Sequence, residues 1–184
     1  MPALTAEQVL SDTLDVRAGE QLLVHGAGGI TAGLLVALAA LRGTQVIATA
    51  GPASRPRVTT LGARHVIDYH DQDWPAQVRA ITANRGVDAA ANAVPGGAAS
   101  AIRAVADGGR LATITSDPPG QQRGITASSI YIRPAGNQLR ELATRFADGQ
   151  LEIPVAASYR LADAAQALAQ VTGGHTTGAV VLTP

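Results

Sequence analysis

One stretch limits the folds open to this chain more than any other. Residues 20–43 read E-Q-L-L-V-H-G-A-G-G-I-T-A-G-L-L-V-A-L-A-A-L-R-G. A short apolar run, Leu22, Leu23 and Val24, enters a tight turn holding Gly26, Gly28 and Gly29. An Ala/Leu/Val helix leaves that turn without a charge before Arg42. Parallel α/β proteins use such a strand–turn–helix to bring backbone amides to a phosphate. Glycine permits the sharp turn and the close approach, and the helix start offers unpaired N–H groups at the positive end of its dipole. The register Ala27-x-Gly29-x-x-Ala32 is an imperfect G-x-G-x-x-G. In this strand–helix context it points to a dinucleotide site, the alternative being a purely structural turn.

The rest of the chain repeats the unit. Apolar runs at 44–49, 65–68, 87–92, 110–115 and 125–132 read as strands, joining the one at 22–24. Helices are expected at 5–13 with Thr5 as N-cap, at 55–61 with its start open to delay by Pro56, at 74–82 with Asp73 as N-cap, at 98–105 and at 138–147. Six strands alternating with helices predict a doubly wound parallel sheet, a three-layer αβα fold of the Rossmann type with right-handed connections. Beyond Gly149 the repeat stops. A strand at 155–159, an Ala-rich helix at 161–171 and a strand at 179–182 read as part of another layer. The division is therefore drawn as a cofactor domain over 1–150 and a C-terminal segment over 151–184.

Composition narrows the function classes. The 184 residues carry no net charge, no Lys and no basic run of the kind that favours nucleic acid. Without Cys there is no disulfide, thiolate metal site or Cys nucleophile. His25, His65, His70 and His175 lack metal-ligand spacing. The N-terminus has no signal-peptide pattern, and the longest apolar stretch is too short to span a bilayer, so a cytoplasmic protein is expected. Ser128, Ser129 and Tyr131 have no nucleophile elbow around them. A short-chain dehydrogenase mechanism, which pairs Tyr with Lys, is excluded in its usual form.

The end of the second strand bears on the cofactor. NAD sites usually place an acidic residue there for the ribose 2′-hydroxyl. This chain has A-T-A-G-P-A-S-R instead. Thr49, Ser54 and Arg55 suit a 2′-phosphate, with Arg57 a weaker candidate, and favour NADP over NAD. Tyr69 ends the third strand and either covers an adenine, bonds a phosphate or simply packs. Asn92, Ile114 and Thr115 lie at strand ends that face the ligand crevice of such a sheet. A methyltransferase would want an acidic residue where Thr49-Ala50 stands. A non-catalytic nucleotide sensor remains a second possibility.

The segments L-L-V-H-G-A-G-G, V-I-A-T-A, L-G-A-R-H-V-I-D-Y, G-V-D-A-A-A-N-A-V-P-G-G, G-G-R-L-A-T-I and H-T-T-G-A-V-V-L, taken together, resemble the zinc-independent, quinone oxidoreductase-like branch of the medium-chain dehydrogenase/reductase family. Enoyl reductase domains are close relatives of that branch. The resemblance runs from Leu4 to the C-terminus. It implies an NADP(H)-binding domain of an oxidoreductase that moves hydride to a conjugated carbonyl, a quinone or an enone, without a metal. It also implies that Thr5 approaches the nicotinamide amide and that Gly29, Ile30 and Thr31 meet the pyrophosphate. Thr49, Arg55 and Tyr69 would surround the 2′-phosphate, while Asn92, Val94, Ile114 and Thr115 would line the ribose and nicotinamide. The chain departs from the family at Ile30-Thr31-Ala32 in the turn, at Asn92 where Asp is usual, at the intrusive Pro95 and at Ala179. In the family a barrel-like catalytic domain precedes the segment matching Leu4, and the C-terminal segment packs on it. A cofactor domain alone is expected to bind nucleotide and turn over poorly or not at all. Family members often dimerise through the last strand of this domain, so a homodimer through 125–132 is expected.

Overall fold

A computed structural model describes residues 1–173, 176 and 178–184; His175 lies outside the described residues. The chain forms two compact units, Met1–Leu151 and Glu152–Pro184. The first is built on a six-stranded parallel sheet. Its strands are β1 (Gln21–His25), β2 (Gln45–Thr49), β3 (His65–Ile67), β4 (Val87–Asn92), β5 (Val105–Thr113) and β6 (Thr126–Ser129), in the spatial order β3-β2-β1-β4-β5-β6. That is the doubly wound order the repeat predicts, and it reverses beside β1. The helices are α1 (Pro2–Gln8), α2 (Ile30–Leu41), α3 (Arg55–Thr60), α4 (Trp74–Ile81), α5 (Ala98–Ala104) and α6 (Gly136–Ala147).

Both faces of the sheet are covered, which is why its central strands read as unbroken apolar runs. Leu23 pairs with Ile47 on one side and Ala90 on the other, and Ala90 pairs with Leu111. These four share one face and pack with Trp74, Val78, Ala101 and Ile102 of α4 and α5. Alternation turns Leu22, Val24, Val46 and Ala48 to the opposite face, where α2 packs on β1 and β2. The eight consecutive residues from Ala32 to Ala39 are all buried. An uncharged helix suits this place, with α1 on its outer side. Burying each of Leu34, Leu35 and Leu38 contributes about 1.5–3 kcal/mol.

Several expectations are corrected. The first helix starts at Pro2, which presets the backbone angle of a first turn. It runs into one π-helical turn, Val9–Thr13. Thr5 is therefore inside α1, and its hydroxyl donates to the Met1 carbonyl at 3.2 Å instead of capping a helix. Pro56 does not delay α3, which starts at Arg55. Asp73 occupies the N-cap position of α4 without a cap bond; its carboxylate lies 3.6 Å from Arg103. β5 begins at Val105, five residues early, because a register shift carries the pairing from Val87↔Val105 to Ala89↔Arg110. It also stops at Thr113, so Ile114 and Thr115 belong to the following loop. The edge strand expected at 125–132 is only Thr126–Ser129, since the pairing of β5 ends at Thr113↔Ser129 and nothing remains to extend it.

The second unit contains β7 (Val155–Arg160), a short 3-10 turn, α7 (Ala164–Thr172) and β8 (Ala179–Thr183). β7 and β8 form a separate parallel pair. The Tyr159 hydroxyl bonds the Gln170 side-chain oxygen at 2.6 Å, tying α7 to the pair. Val155, Leu161, Leu168, Val171 and Leu182 are all exposed.

Candidate functional site

The carboxyl ends of β1, β2 and β4 converge on the glycine turn. Gly26 leaves β1 with φ +88°, a conformation open to glycine. Ala27 N–H donates to the Thr49 carbonyl at 2.9 Å and Gly29 N–H to the Gly26 carbonyl at 3.1 Å. α2 then starts at Ile30 behind Gly29, with no side chain capping it. The first-turn amides of a helix have no partner inside it, so Ile30 and Thr31 present backbone donors at this edge. Gly29 is exposed, and Ile30 and Thr31 are half-buried.

Thr49 does not face solvent. It is fully buried, and its hydroxyl accepts from Gly26 N–H at 3.0 Å and pairs with His25 Nδ1 at 2.7 Å. The direction of the hydroxyl–Nδ1 bond follows the imidazole tautomer, since the hydroxyl has a second lone pair beside the one that takes Gly26 N–H. His25 is 5% exposed, and burial pushes it down to about 4, so its ring is neutral at pH 7. Its ring stacks on Trp74, with centroids 4.5 Å apart. On the loop after β4, a Cβ at Gly97 would lie 2.8 Å from the His25 ring and 2.8 Å from Asn92 Oδ1. His25, which ends the first strand where a side chain can orient the turn, and Thr49, expected instead at a 2′-phosphate, thus lock the turn from beneath.

The loop after β2 closes over the turn. A Cβ at Gly28 would meet Ser54 Oγ at 3.1 Å. Arg57 Nη2 donates to the Gly28 carbonyl at 2.5 Å, and Nη1 lies 2.9 Å from where Gly33 would carry a Cβ. Burial lowers the Arg57 pKa, yet a guanidinium stays charged at any working pH. Arg55, preferred from sequence, is exposed beside Asp68 instead. Tyr69 is half-exposed; a Cβ at Gly51 would lie 3.3 Å from its ring. It stacks against His70, centroids 4.1 Å apart. The Asp68 carboxylate, at the end of β3, accepts from His70 N–H at 3.0 Å and pairs with its Nδ1 at 2.7 Å. These bonds hold Asp68 below the ordinary carboxylate range. The Asp68–His70 pair completes a polar rim of which the sequence had named Ser54, Arg55 and Tyr69, with Arg57 as a weaker candidate.

On the other flank, Asn92 is fully buried and its amide is engaged by the protein. Nδ2 donates to the Val94 carbonyl at 3.0 Å and to the Thr113 and Thr115 hydroxyls at 3.1 and 3.2 Å. Oδ1 accepts from Val94 N–H at 3.2 Å. Ile114 N–H donates to the Asn92 carbonyl at 3.0 Å. Asn92 therefore organises this edge, while Val94, Ile114 and Thr115 are half-buried upon it. Thr5 is not joined to this cluster by any hydrogen bond among the described residues; its hydroxyl stays on Met1.

Comparison with known proteins agrees with this architecture. The model of the zinc-binding dehydrogenase family matches residues 61–182, more than half the chain. Erythronolide synthase EryA2 of Saccharopolyspora erythraea is 32% identical across 97% of this chain, which spans only 5% of that protein. The quinone oxidoreductase from Coxiella burnetii superposes with a TM-score of 0.87 at 26% identity, covering 100% of this chain and 58% of that one. Mycobacterial Rv1454c complexed with NADPH gives 0.86 at 26% identity, covering 100% and 62%. The residues present do not fit the metal in the family's description: there is no Cys, and among the described residues no three His, Asp or Glu side chains converge. Sequence pattern, strand order, glycine turn and these matches lead to one statement: the chain belongs to the zinc-binding dehydrogenase family.

Proposed function

We propose that this chain is the NADP(H)-binding part of an oxidoreductase that reduces a conjugated carbonyl, a quinone or an enone. The observation that carries the reading is the uncapped start of α2, reached through a glycine turn that Thr49 fixes from below and Arg57 flanks. The Ile30 and Thr31 amides would hold the pyrophosphate, helped by the helix dipole. Arg57, Ser54, Arg55 and Tyr69 would take the adenosine end, where a guanidinium suits a 2′-phosphate. Val94, Ile114 and Thr115 would border the nicotinamide end. When bound, the nicotinamide supplies a hydride. A conjugated carbonyl accepts hydride at carbon because its oxygen takes up the developing charge. The complexed NADPH of mycobacterial Rv1454c supports the choice of nucleotide.

The chain is shorter than its solved relatives, and hydride transfer needs a substrate held close in a water-poor cleft. The activity is accordingly assigned to the whole enzyme, and nucleotide binding to this chain. Calorimetric titration tests the reading. NADPH should bind at least about tenfold more tightly than NADH, the scale of one charge-assisted contact to phosphate. Arg57→Ala should remove most of that preference. Equal affinity for the two nucleotides in the wild-type chain contradicts the adenosine-end assignment.

A further inference from the structure

β5 ends at Thr113 and runs into Ile114-Thr115-Ser116-Asp117, a loop that bends with Ser116 at φ +59° and brings Thr115 and Asp117 back against Thr113. Asp117 Oδ1 accepts from the Thr113 hydroxyl at 2.6 Å and from the Thr115 hydroxyl. Oδ2 accepts from Gly96 N–H at 2.8 Å, in the loop after β4. Burial would raise this carboxyl, but the bonds from Thr113, Thr115 and Gly96 outweigh it and hold the group below the usual range. The two hydroxyls also lie 2.8 Å from each other, and both accept from Asn92 Nδ2. Val94 fixes the Asn92 amide, its N–H donating to Oδ1 and its carbonyl accepting from Nδ2, and this turns Nδ2 towards the two hydroxyls.

The network reaches the glycine turn through Val94. Its Cγ2 lies 2.5 Å from the position a Cβ would take on Gly26. One carboxylate therefore fixes two loops to each other and sets Val94 against the turn.

We propose that Asp117 is a positioning residue, the clasp that joins the loops after β4 and β5 and so shapes the nicotinamide end of the site. This rests on the nucleotide reading above. Asp117 touches no reacting atom; it acts through Gly96, Asn92, Thr115 and Val94. The adenosine end, built on Ser54, Arg57 and Tyr69, shares none of its hydrogen bonds.

Two ligands separate the halves: NADPH engages both, whereas adenosine 2′,5′-bisphosphate engages the adenosine end alone. Asp117→Asn keeps the shape but replaces one acceptor oxygen by a donor. It should weaken NADPH binding by about tenfold or more, as expected for loss of hydrogen bonds to a charged group, and leave bisphosphate affinity within about twofold. Thr115→Val should do likewise, and Thr115→Ser, which keeps the hydroxyl, should restore NADPH binding. Hydrogen exchange at Gly96 N–H should be slow in the wild type and faster in Asp117→Asn. An Asp117→Asn chain that binds NADPH like the wild type overturns the clasp, as does one that loses both ligands in parallel. Rapid Gly96 exchange in the wild type overturns it without touching the nucleotide reading. A wild-type chain that binds neither ligand removes that reading, and the proposal with it.

Discussion

Gly26→Ala should destabilise the first unit by about 2–5 kcal/mol, the largest effect expected from any single methyl group at this site. Two costs add. Alanine at φ +88° sits where an L-residue meets the following carbonyl oxygen, which costs about 1–2 kcal/mol. The new Cβ would also lie 2.5 Å from Val94 Cγ2. Val94 cannot swing away cheaply, because its χ1 is stiff and its backbone is bonded on both sides by Asn92. Such overpacking costs about 1–3 kcal/mol. Gly19→Ala is the control: its φ is +85°, yet a Cβ there has nothing within 4 Å. It should show the backbone cost alone. Urea unfolding followed by Trp74, the single tryptophan, reads both variants. Equal losses for the two would show that Val94 does not press on the turn.

Acid should release the lock beneath the turn before it reaches the carboxylates. His25 has an unfolded value of about 6.5 and is held down to about 4 in the fold. The unfolded chain therefore binds the proton more tightly. The stabilisation from keeping His25 neutral is fully present above pH 6.5 and is lost as pH falls towards 4. The difference is on the order of 3 kcal/mol. Protonated Nδ1 would also face a Thr49 hydroxyl that already accepts from Gly26, so the hydroxyl must turn its own proton elsewhere. Asp12, Asp68 and Asp117 are all depressed below their usual range, and their contributions fade only below about pH 4. Stability measured from pH 7 to pH 4.5 should fall in the wild type and show a markedly flatter slope in His25→Asn. Indistinguishable slopes would mean that His25 titrates as an exposed histidine.

The fold was legible because its determinants are local. Apolar runs of strand length, separated by helices and marked by glycines, set the order of β1 to β6 before any contact is known. β4 falls at Val87–Asn92, where it was expected. β5 was misjudged because A-D-G-G after Val105 reads as a turn, whereas the pairing with β4 absorbs it as an irregularity. Around the proposed site, the sequence made the glycine turn legible as local structure and not the bonds beneath it. Thr49 was expected to face the nucleotide, but the parallel register Val24↔Ala48 brings it alongside His25, and that pairing is invisible in one-dimensional spacing. Arg55 was favoured over Arg57, yet with α3 starting at Arg55 it is Arg57 that reaches the Gly28 carbonyl. Asp117 was missed altogether. Its one signal was the alternation T-x-T-x-D directly after a strand, which becomes meaningful once Gly96 and Asn92 are beside it.

The central claim is that the backbone amides opening α2 hold the diphosphate of a nicotinamide dinucleotide. Amide chemical shifts of the 15N-labelled chain, followed while NADP+ is added, test it most directly. The Ile30 and Thr31 resonances should move furthest and saturate together with those of Ser54 and Arg57. Unmoved Ile30 and Thr31 resonances at saturating nucleotide, or shifts confined to the Glu152–Pro184 unit, would contradict it.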